Sequence, residues 1–258
     1  MSTEDKETDD AEAVDFGFKR VAAEAKAGLV RGVFERVARR YDVMNDVMSG
    51  GIHRVWKREM VEWLRPTPAM TIVDVAGGTG DIAFRIRDRL GADGGGHIVV
   101  CDASQNMVEA GRDRAYDRGI LKGIEWLVGD AERLPFKARS FDAYTIAFGI
   151  RNLTRIEAAL GEAARVLGPG GRFLCLEFSP DVMPGLDKLY DLYSFAVIPM
   201  MGAAIAKDAG SYRYLVESIR RFPHPERFAG MIRDAGFAGV SYRRLSGGIA
   251  ALHSAYRV

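Results

Sequence analysis

From residue 71 onward, strand-like and helix-like segments alternate along the chain, and this alternation limits the available folds more than any other feature. Five apolar runs have the length of buried strands: TIVDV at 71–75, HIVVCD at 97–102, IEWLV at 124–128, FDAYTIAF at 141–148 and GRFLCLEF at 171–178. Helical patterns separate most of them, over 81–90, 104–118 and 155–167. Near-continuous apolar strands joined by helices predict an α/β fold whose parallel sheet is covered on both faces.

Two late segments are expected to complete this sheet. GVSYRRL at 239–245 and GIAALHSAY at 248–256 stand on either side of Ser246 and Gly247, which favour a tight turn. They predict an antiparallel hairpin at one edge, so that a mostly parallel, seven-stranded sheet results.

The chain is expected to divide into three segments. Residues 1–16 are strongly acidic with almost nothing to bury, which is typical of a disordered tail. Residues 17–66 predict a helical segment on the substrate side, and residues 67–258 predict the sheet domain with a helical insert at 181–235. The tail has neither the basic start nor the apolar centre of a signal peptide, so we expect a cytoplasmic protein.

Composition argues against several classes of function. The 36 basic and 35 acidic residues nearly balance, which gives no bulk electrostatic attraction to nucleic acid. The four histidines are scattered without the spacing of metal ligands, and no metal site is predicted. Cys101 and Cys175 lie inside apolar strand runs, where we expect buried thiols in a reducing compartment.

The insert contains a mostly apolar run, LYDLYSFAVIPMMGAAIA at 189–206. Asp191 and Pro199 interrupt this run, and it is too short to predict a membrane span. We expect it to pack as a lid over the ligand crevice; a surface that also touches lipid is the alternative.

The segment VDVAGGTGDIA at 73–83 leads from the first strand of the pattern through a glycine-rich turn into a helix. Residues 78–83 match the G-x-G-x-x-G/A pattern that seats a dinucleotide pyrophosphate at a helix N-terminus. Asp81, in the first turn of that helix, would repel a pyrophosphate. A nucleoside without phosphates, such as S-adenosylmethionine, is favoured instead, and Asp81 either faces its positive charge or caps the helix.

Acidic residues end the next two strands, at the sheet edge where open α/β sheets bind ligands. Asp102 can accept hydrogen bonds from both ribose hydroxyls of an adenosine, in NAD as well as in S-adenosylmethionine. Asp130, beside the small Ala131, suits an adenine amino group and ring edge, and favours S-adenosylmethionine. Asp74, inside the first strand, would be costly to bury unpaired and could anchor the turn or approach the ligand's ammonium group.

A closer likeness comes from five motifs, several of which lie outside the sheet pattern. They are YDVMNDVMSGGIHRVWK at 41–57, AGGTGD at 76–81, FGIRN at 148–152, SYRYLVESIRRFP at 211–223 and GGIAALHSAY at 247–256. Over residues 33–258 the chain resembles the ubiquinone/menaquinone biosynthesis C-methyltransferase family. The resemblance implies a Rossmann-like class I methyltransferase fold that uses S-adenosylmethionine. It also implies methylation of a ring carbon of a 2-methoxy-6-polyprenyl-1,4-benzoquinol, a demethylmenaquinol, or both.

The resemblance also implies cofactor contacts, namely at Thr79, Asp102, Asp130 and Ala131. Ala147 stands where some relatives carry a serine, so no side-chain hydrogen bond is expected there. Together with the glycine turn and the strand ends, the predicted cofactor residues are Asp74, Gly77, Gly78, Thr79, Gly80, Asp102, Ala103, Asp130 and Ala131.

The reaction itself directs attention to polar residues after the fourth strand. A ring carbon becomes nucleophilic as the neighbouring hydroxyl loses its proton, which requires a base or a cation near the oxygen. Arg151 and Asn152 are the catalytic candidates there, with Arg151 as a permanent cation for the phenolate; a structural salt bridge is the alternative role for Arg151. In the N-terminal motif, Tyr41 and His53 are candidates to orient the substrate or relay its proton. Their alternative roles are a packing aromatic and a structural hydrogen-bonder.

Two other functions compete with this interpretation. One is an NAD-dependent quinone oxidoreductase, and the other is a noncatalytic quinone-binding scaffold of a biosynthetic complex. The expected partners are a polyprenyl quinol and no nucleic acid, with peripheral contact to the inner membrane face. A homodimer or a quinone-biosynthesis complex is compatible with the same sequence.

Overall fold

The structure is a computed structural model that describes residues 13–37, 46, 49–91, 95–183 and 209–258. Tyr41 and the apolar run at 189–206 lie outside these described residues, as does most of the acidic tail.

A single seven-stranded sheet organises the chain. Its strands are β3 (Thr71–Val75), β4 (His97–Asp102), β5 (Ile124–Val128), β6 (Phe141–Ala147), β7 (Leu167–Phe178), β8 (Phe237–Leu245) and β9 (Ala250–Arg257). Their order is β5-β4-β3-β6-β7-β9-β8. The first five strands are parallel, and β9 runs antiparallel to both β7 and β8. The predicted mostly parallel sheet with an antiparallel edge hairpin is therefore confirmed.

Helices cover both faces of this sheet. They are α1 (Ala23–Val37), α2 (His53–Leu64), α3 (Asp81–Leu90), α4 (Gln105–Asp117), α5 (Ile156–Val166), α6 (Ala209–Arg221) and α7 (Pro225–Asp234). Because alternate strand residues point to opposite faces, neighbours in β3 join different cores. Ile72 packs in the cluster that contains Met60 of α2, whereas Val73 packs in the cluster that contains Leu160 of α5.

The N-terminal end differs from the prediction. Residues 13–16, assigned to the disordered tail, form β1 (Ala13–Phe16), which pairs with β2 (Lys19–Ala22) in a separate two-stranded sheet. The expected helical segment therefore begins with a strand. The reason is tertiary: the Phe16 ring stacks on Tyr214 of α6 at 4.2 Å between centroids, and the backbone N–H of Phe18 donates to Glu217 at 3.0 Å.

The two cysteines are buried thiols, as predicted. Cys101 in β4 and Cys175 in β7 are both free and fully buried. Burial raises the pKa of the Cys101 thiol to about 12 and that of Cys175 well above its usual value. Both side chains therefore remain protonated and act as small apolar groups.

Candidate cofactor and substrate site

A cavity of about 460 Å³ opens at the carboxyl ends of the central strands. This volume lies within the range of roughly 300 to 1,000 Å³ that is typical of small-molecule sites. The sheet contributes the residues that follow β3, β4, β5 and β6, and α1 forms a further wall. Among the predicted site residues, Gly78, Asp102, Ala103, Asp130, Ala131 and Asn152 line the cavity.

The glycine turn after β3 is shaped for close packing as well as for a ligand. Gly78 lines the cavity with a φ of +56°, a conformation that favours glycine. Gly77 and Gly80 instead face protein: a Cβ on Gly77 would lie 2.8 Å from the Asp74 Oδ2, and one on Gly80 would lie 2.4 Å from Trp126. Two of the three predicted glycines thus support the turn from behind.

Asp102 joins the glycine turn to the start of α4. Its Oδ2 accepts from the backbone N–H of Gly78, and its Oδ1 accepts from the backbone N–H of Ser104, both at 2.9 Å. Burial raises the pKa of Asp102, while these two N–H groups act in the opposite direction. Each carboxylate oxygen has a second lone pair, so the side chain can also accept from the hydroxyls of a ribose.

Asp130 and Ala131 form the next part of the wall. The Asp130 Oδ1 accepts from the backbone N–H of Glu132 at 2.9 Å, which fixes the carboxylate in the turn after β5. Ala131 is buried beside it, and the apolar side chains of Met107 and Val128 line the same cavity. A carboxylate next to apolar surface suits a flat base that carries an amino group.

Asp74 lies beneath the glycine turn rather than in the cavity wall. It is fully buried, and the Thr145 hydroxyl donates to its Oδ1 at 2.8 Å. Its Oδ2 has no hydrogen-bond partner within the described ranges. Burial raises the pKa of Asp74 to about 7, while Thr145 and the charge of Lys57 act to lower it. A contact between Asp74 and the cofactor therefore stays a prediction.

Thr79 also lies behind the turn. Its hydroxyl accepts a hydrogen bond from Arg114 of α4, and the side chain is buried. The cavity wall, as far as the chain is described, does not include Thr79. A contact between Thr79 and the cofactor therefore stays a prediction, and the structure shows Thr79 joining the turn to α4.

Asp81 has a different partner from either one expected. Its Oδ2 accepts from Lys57 Nζ at 2.7 Å, and its Oδ1 accepts from Arg85 Nε at 3.1 Å. Burial acts to raise the pKa of Asp81, but the charge and hydrogen bond of Lys57, aided by Arg85, hold it at about 2. The N-cap position of α3 is occupied by Gly80, which has no side chain that could bond the backbone N–H groups of the first turn. The cation that Asp81 faces is thus a lysine of α2, and the predicted capping role is corrected.

Arg151 lies in a buried ion pair behind the cavity. Its side chain is 1% exposed, and Nη1 donates to Glu177 Oε1 at 2.5 Å and to the carbonyl of Phe148 at 2.8 Å. Its Nε donates to the Ser218 hydroxyl at 3.3 Å. Burial raises the pKa of Glu177, and the Arg151 charge opposes that rise. The structure therefore shows the alternative role, a structural salt bridge, for this guanidinium.

Asn152 is the catalytic candidate that reaches the cavity. Its Nδ2 donates to the carbonyl of Phe148 at 3.4 Å, and its Oδ1 accepts from the Tyr214 hydroxyl at 3.2 Å. Phe148 lines the cavity as well, with a φ of 58° that is uncommon for a large residue. The sequence did not identify Tyr214 as part of the site, because 62 residues separate it from Asn152.

His53 is buried at the start of α2 and pairs with Asp46. Its Nε2 lies 2.8 Å from Asp46 Oδ1, and Arg54 binds the other oxygen of that carboxylate. Burial acts to raise the pKa of Asp46, but hydrogen bonds from Arg54 and His53 hold it below its usual value. The ionised carboxylate can only accept, so Nε2 carries the hydrogen.

The other ring nitrogen of His53, Nδ1, has no hydrogen-bond partner among the described residues. Burial, with the nearby charge of Lys57, lowers the pKa of His53 although Asp46 opposes this, so the ring is neutral. Nδ1 then holds a lone pair, and in the described part of the chain no group donates to it.

Helix α1 lies within the segment 17–66 that the sequence predicts as helical and on the substrate side, and it forms a wall of the cavity whose individual residues the sequence did not identify. Ala23, Ala27 and Val30 of this helix line the cavity. Lys26 lies on the same helix, and its Nζ donates to the carbonyl of Leu153 at 2.7 Å, which ties α1 to the loop after β6. The charged residues Glu24 and Arg31 of α1 line the cavity as well.

The residues present suit S-adenosylmethionine. Asp102 offers acceptors for a ribose, and Asp130 with Ala131 offers a place for an adenine. Asp74 Oδ2 is a buried acceptor beneath the turn, where an ammonium group would provide a donor. The glycine turn, Asp102 and Asp130, at three successive strand ends, are chemically matched to a nucleoside without phosphates.

Comparisons with known proteins agree with this fit. Residues 5–257 match the model of the ubiE/COQ5 methyltransferase family. The chain is 58% identical over 251 residues to the ubiquinone/menaquinone biosynthesis C-methyltransferase UbiE of Methylobacterium nodulans, covering 96% of this chain and 98% of that protein. It is 56% identical over 250 residues to the UbiE of Paracoccus denitrificans, covering 97% and 99%.

Solved structures support the fold. A SAM-dependent methyltransferase from Thermotoga maritima is similar with a TM-score of 0.61 at 21% identity, covering 89% of this chain and all of that one. This likeness bears on the fold alone, whereas the sequence matches extend through the N-terminal motif and the final strand. The chain belongs to the ubiE/COQ5 methyltransferase family.

Proposed function

We propose that the protein transfers a methyl group from S-adenosylmethionine to a ring carbon of a polyprenylated quinol in ubiquinone or menaquinone biosynthesis. The substrate is 2-methoxy-6-polyprenyl-1,4-benzoquinol, a demethylmenaquinol, or both. One observation supports this most directly. The acids Asp102 and Asp130 line one cavity in a chain whose relatives are named, over nearly their whole lengths, as C-methyltransferases of this pathway.

The chemistry divides between cofactor and protein. When bound, S-adenosylmethionine supplies a methyl group that its positive sulfur already activates. The protein must align the ring carbon with that methyl group, exclude water and increase the electron density of the ring. Removing the proton of the quinol hydroxyl achieves the last task, because the phenolate is a far stronger carbon nucleophile than the phenol.

Asn152 is the proposed contact for the quinol oxygen. It lines the cavity, and its contacts with Phe148 and Tyr214 fix the orientation of its amide. An amide nitrogen has two hydrogens. One binds the Phe148 carbonyl, and the second can donate to the oxygen as its negative charge grows.

His53 and Tyr41 are the proposed residues that orient the substrate or relay its proton. His53 is buried and does not line the cavity, so its part in such a relay would be indirect. A neutral imidazole with a bare Nδ1 is the form that accepts a proton, and Asp46 on the opposite nitrogen stabilises the imidazolium that results. Arg151 is assigned a positioning role, because it holds the Phe148 carbonyl from behind.

The substrate tail suggests where the protein works. We place it in the cytoplasm at the inner membrane face, as a homodimer or within a quinone-biosynthesis complex. None of the described helices has the length and apolar character needed to cross a membrane. Sedimentation of the protein with vesicles that contain the quinol tests this location.

Methyl transfer is the decisive test of the function. Purified protein is incubated with labelled S-adenosylmethionine and either a short-tailed methoxy-benzoquinol or a demethylmenaquinol, each kept reduced. We expect label on a ring carbon of at least one quinol and none when the same ring is supplied as the oxidised quinone. NADH oxidation without methyl transfer would favour the oxidoreductase, and cofactor binding without any turnover would favour the scaffold.

A further inference from the structure

Lys57 of α2 makes a buried contact with the glycine turn. Its side chain is 4% exposed, and its Nζ donates to Asp81 Oδ2 at 2.7 Å. Asp81 is the first residue of α3 and directly follows Gly80, the last glycine of the turn. The ion pair therefore joins α2, which begins within the family-specific motif at 41–57, to the element that holds the cofactor.

The other neighbours of Lys57 belong to the same site. Its Nζ lies 5.8 Å from the centroid of the Phe148 ring, and Phe148 lines the cavity. The charge of Lys57 also acts on Asp74, the buried acid beneath the turn. One cation thus bonds to the residue that follows the turn and lies beside a residue of the cavity wall, without lining the cavity itself.

Stability alone is a weak explanation for such a pair. The Lys57 side chain is 4% exposed and that of Asp81 is 23% exposed. Desolvation of charges this far from water offsets much of their attraction, and apolar replacements of such pairs are often as stable. A buried pair does fix geometry, because few arrangements satisfy both groups. Here it holds the first residue of α3, three positions after Gly78, whose N–H donates to Asp102.

We propose that the Lys57–Asp81 ion pair couples the docking of α2 to the binding of S-adenosylmethionine at the glycine turn. Lys57 is a positioning residue, since it acts through Asp81 and does not touch the ligand. Coupling is reciprocal, so the bound cofactor holds α2 in place as strongly as docked α2 favours the cofactor. The inference rests on the proposed function, because it takes S-adenosylmethionine as the ligand.

Calorimetric titration of the full chain with S-adenosylmethionine tests the coupling. We expect Lys57→Met and Asp81→Asn each to raise the dissociation constant about 5- to 150-fold, the usual range for coupled sites. The double variant should bind no more weakly than the weaker single variant, because both changes remove one shared contact. Glu59→Gln is the control, since Glu59 also lies on α2 but pairs with Arg243 on the exposed side.

Hydrogen exchange gives a readout that a purely structural role would not change. Adding S-adenosylmethionine should slow exchange over residues 53–64 in the wild type and in Glu59→Gln, and should leave it unchanged in Lys57→Met. The coupling is overturned if Lys57→Met binds like the wild type, if Glu59→Gln loses as much affinity, or if the two single changes add in the double variant.

Folding failure has its own control. If Lys57→Met does not unfold cooperatively, Lys57→Arg and Asp81→Asn replace it in the titration. The coupling requires Lys57→Arg to bind S-adenosylmethionine almost as tightly as the wild type and Asp81→Asn to bind it weakly. Weak binding by Lys57→Arg with normal binding by Asp81→Asn would overturn the coupling. A wild-type chain that does not bind S-adenosylmethionine would overturn the proposed function. A wild-type chain that binds it, with variants that bind equally well, would overturn only the coupling.

Discussion

Asp102 shapes the glycine turn and lines the cavity at the same time, because two backbone N–H groups bind its two oxygens. In Asp102→Asn, an amide NH₂ replaces one of the two carboxylate oxygens. This NH₂ must face one of the two backbone N–H groups, so that two hydrogen-bond donors point at each other. We expect the dissociation constant for S-adenosylmethionine to rise about 10- to 100-fold, the loss of a hydrogen bond to a charged group. Calorimetry measures it, with Asp113→Asn, an exposed acid of α4, as the control. Unchanged affinity in Asp102→Asn would contradict the site.

Arg151 and Glu177 form a pair whose two side chains are each 1% exposed. Arg151→Ala leaves Glu177 buried without its cation, so we expect the free energy of unfolding to fall by about 3 to 5 kcal/mol. Changing both residues to Met should recover much of this loss in urea unfolding. Turnover should stay low in the double variant, because the Phe148 carbonyl keeps Asn152 but has lost its shorter hydrogen bond, the one from Arg151. Arg151→Ala with wild-type stability would show that the guanidinium is not held in this way.

The location of a residue could be predicted from the sequence where that residue ends a parallel strand. Asp102 and Asp130 were placed at one cavity from the strand pattern alone, because parallel strands end at the same edge. The side-chain directions of Thr79 and Arg151 could not be predicted, because their partners Arg114 and Glu177 are distant in sequence. The local sequence pattern predicts which strand end or loop a residue occupies. The direction of its side chain depends on packing against residues that are distant in sequence.

Among the elements, helix α1 has one face toward the cavity and another toward solvent, and adjacent residues lie on these two faces. Val30 lines the cavity, whereas the neighbouring Leu29 is 43% exposed. We expect Val30→Ala to weaken S-adenosylmethionine binding several-fold, since about 0.8 kcal/mol is lost for each buried CH₂ removed. Leu29→Ala should bind like the wild type. Equal affinity for both variants in the same titration would mean that α1 does not touch the bound cofactor.

The elements of the sheet could be predicted because each has a continuous apolar run or a clear turn. The N-terminal hairpin could not, because its stabilising contacts are made with α6, far along the chain. Net acidity suggested a disordered tail up to residue 16, and the pairing of Val14 with Val21 shows that a few apolar residues were enough for a strand once a partner was near.

For the whole molecule, His253 makes stability depend on pH. It is buried, its Nε2 donates to the carbonyl of Pro225, and burial lowers its pKa to about 4. The unfolded chain takes up this proton near pH 6.5, whereas the folded chain does not until about pH 4. Stability is therefore lost as the pH falls between these values. Asp74 acts oppositely, because its folded pKa of about 7 exceeds its unfolded value, and the stability it contributes is lost as the pH rises.

Substitution isolates the histidine contribution from that of Asp74. Between pH 7 and pH 5 we expect His253→Gln to gain about 2 kcal/mol relative to the wild type, from the pKa difference alone. Urea unfolding at the two pH values measures this. His97→Gln, at an exposed histidine, should follow the wild type. Parallel pH dependence of the wild type and His253→Gln would show that His253 does not stay neutral in the fold.

The position of β9 between β7 and β8 has a consequence for synthesis on the ribosome. The edge strand β8 is made before β9, so it can join the sheet only after β9 has followed it. Near the N-terminal end, the backbone N–H of Phe18 pairs with Glu217, which is 199 residues later in the chain. At normal elongation rates the ribosome needs roughly 10 to 40 s to add those residues. Because α1 follows that hairpin and forms a cavity wall, this wall gains its anchor on α6 only after Glu217 has been made.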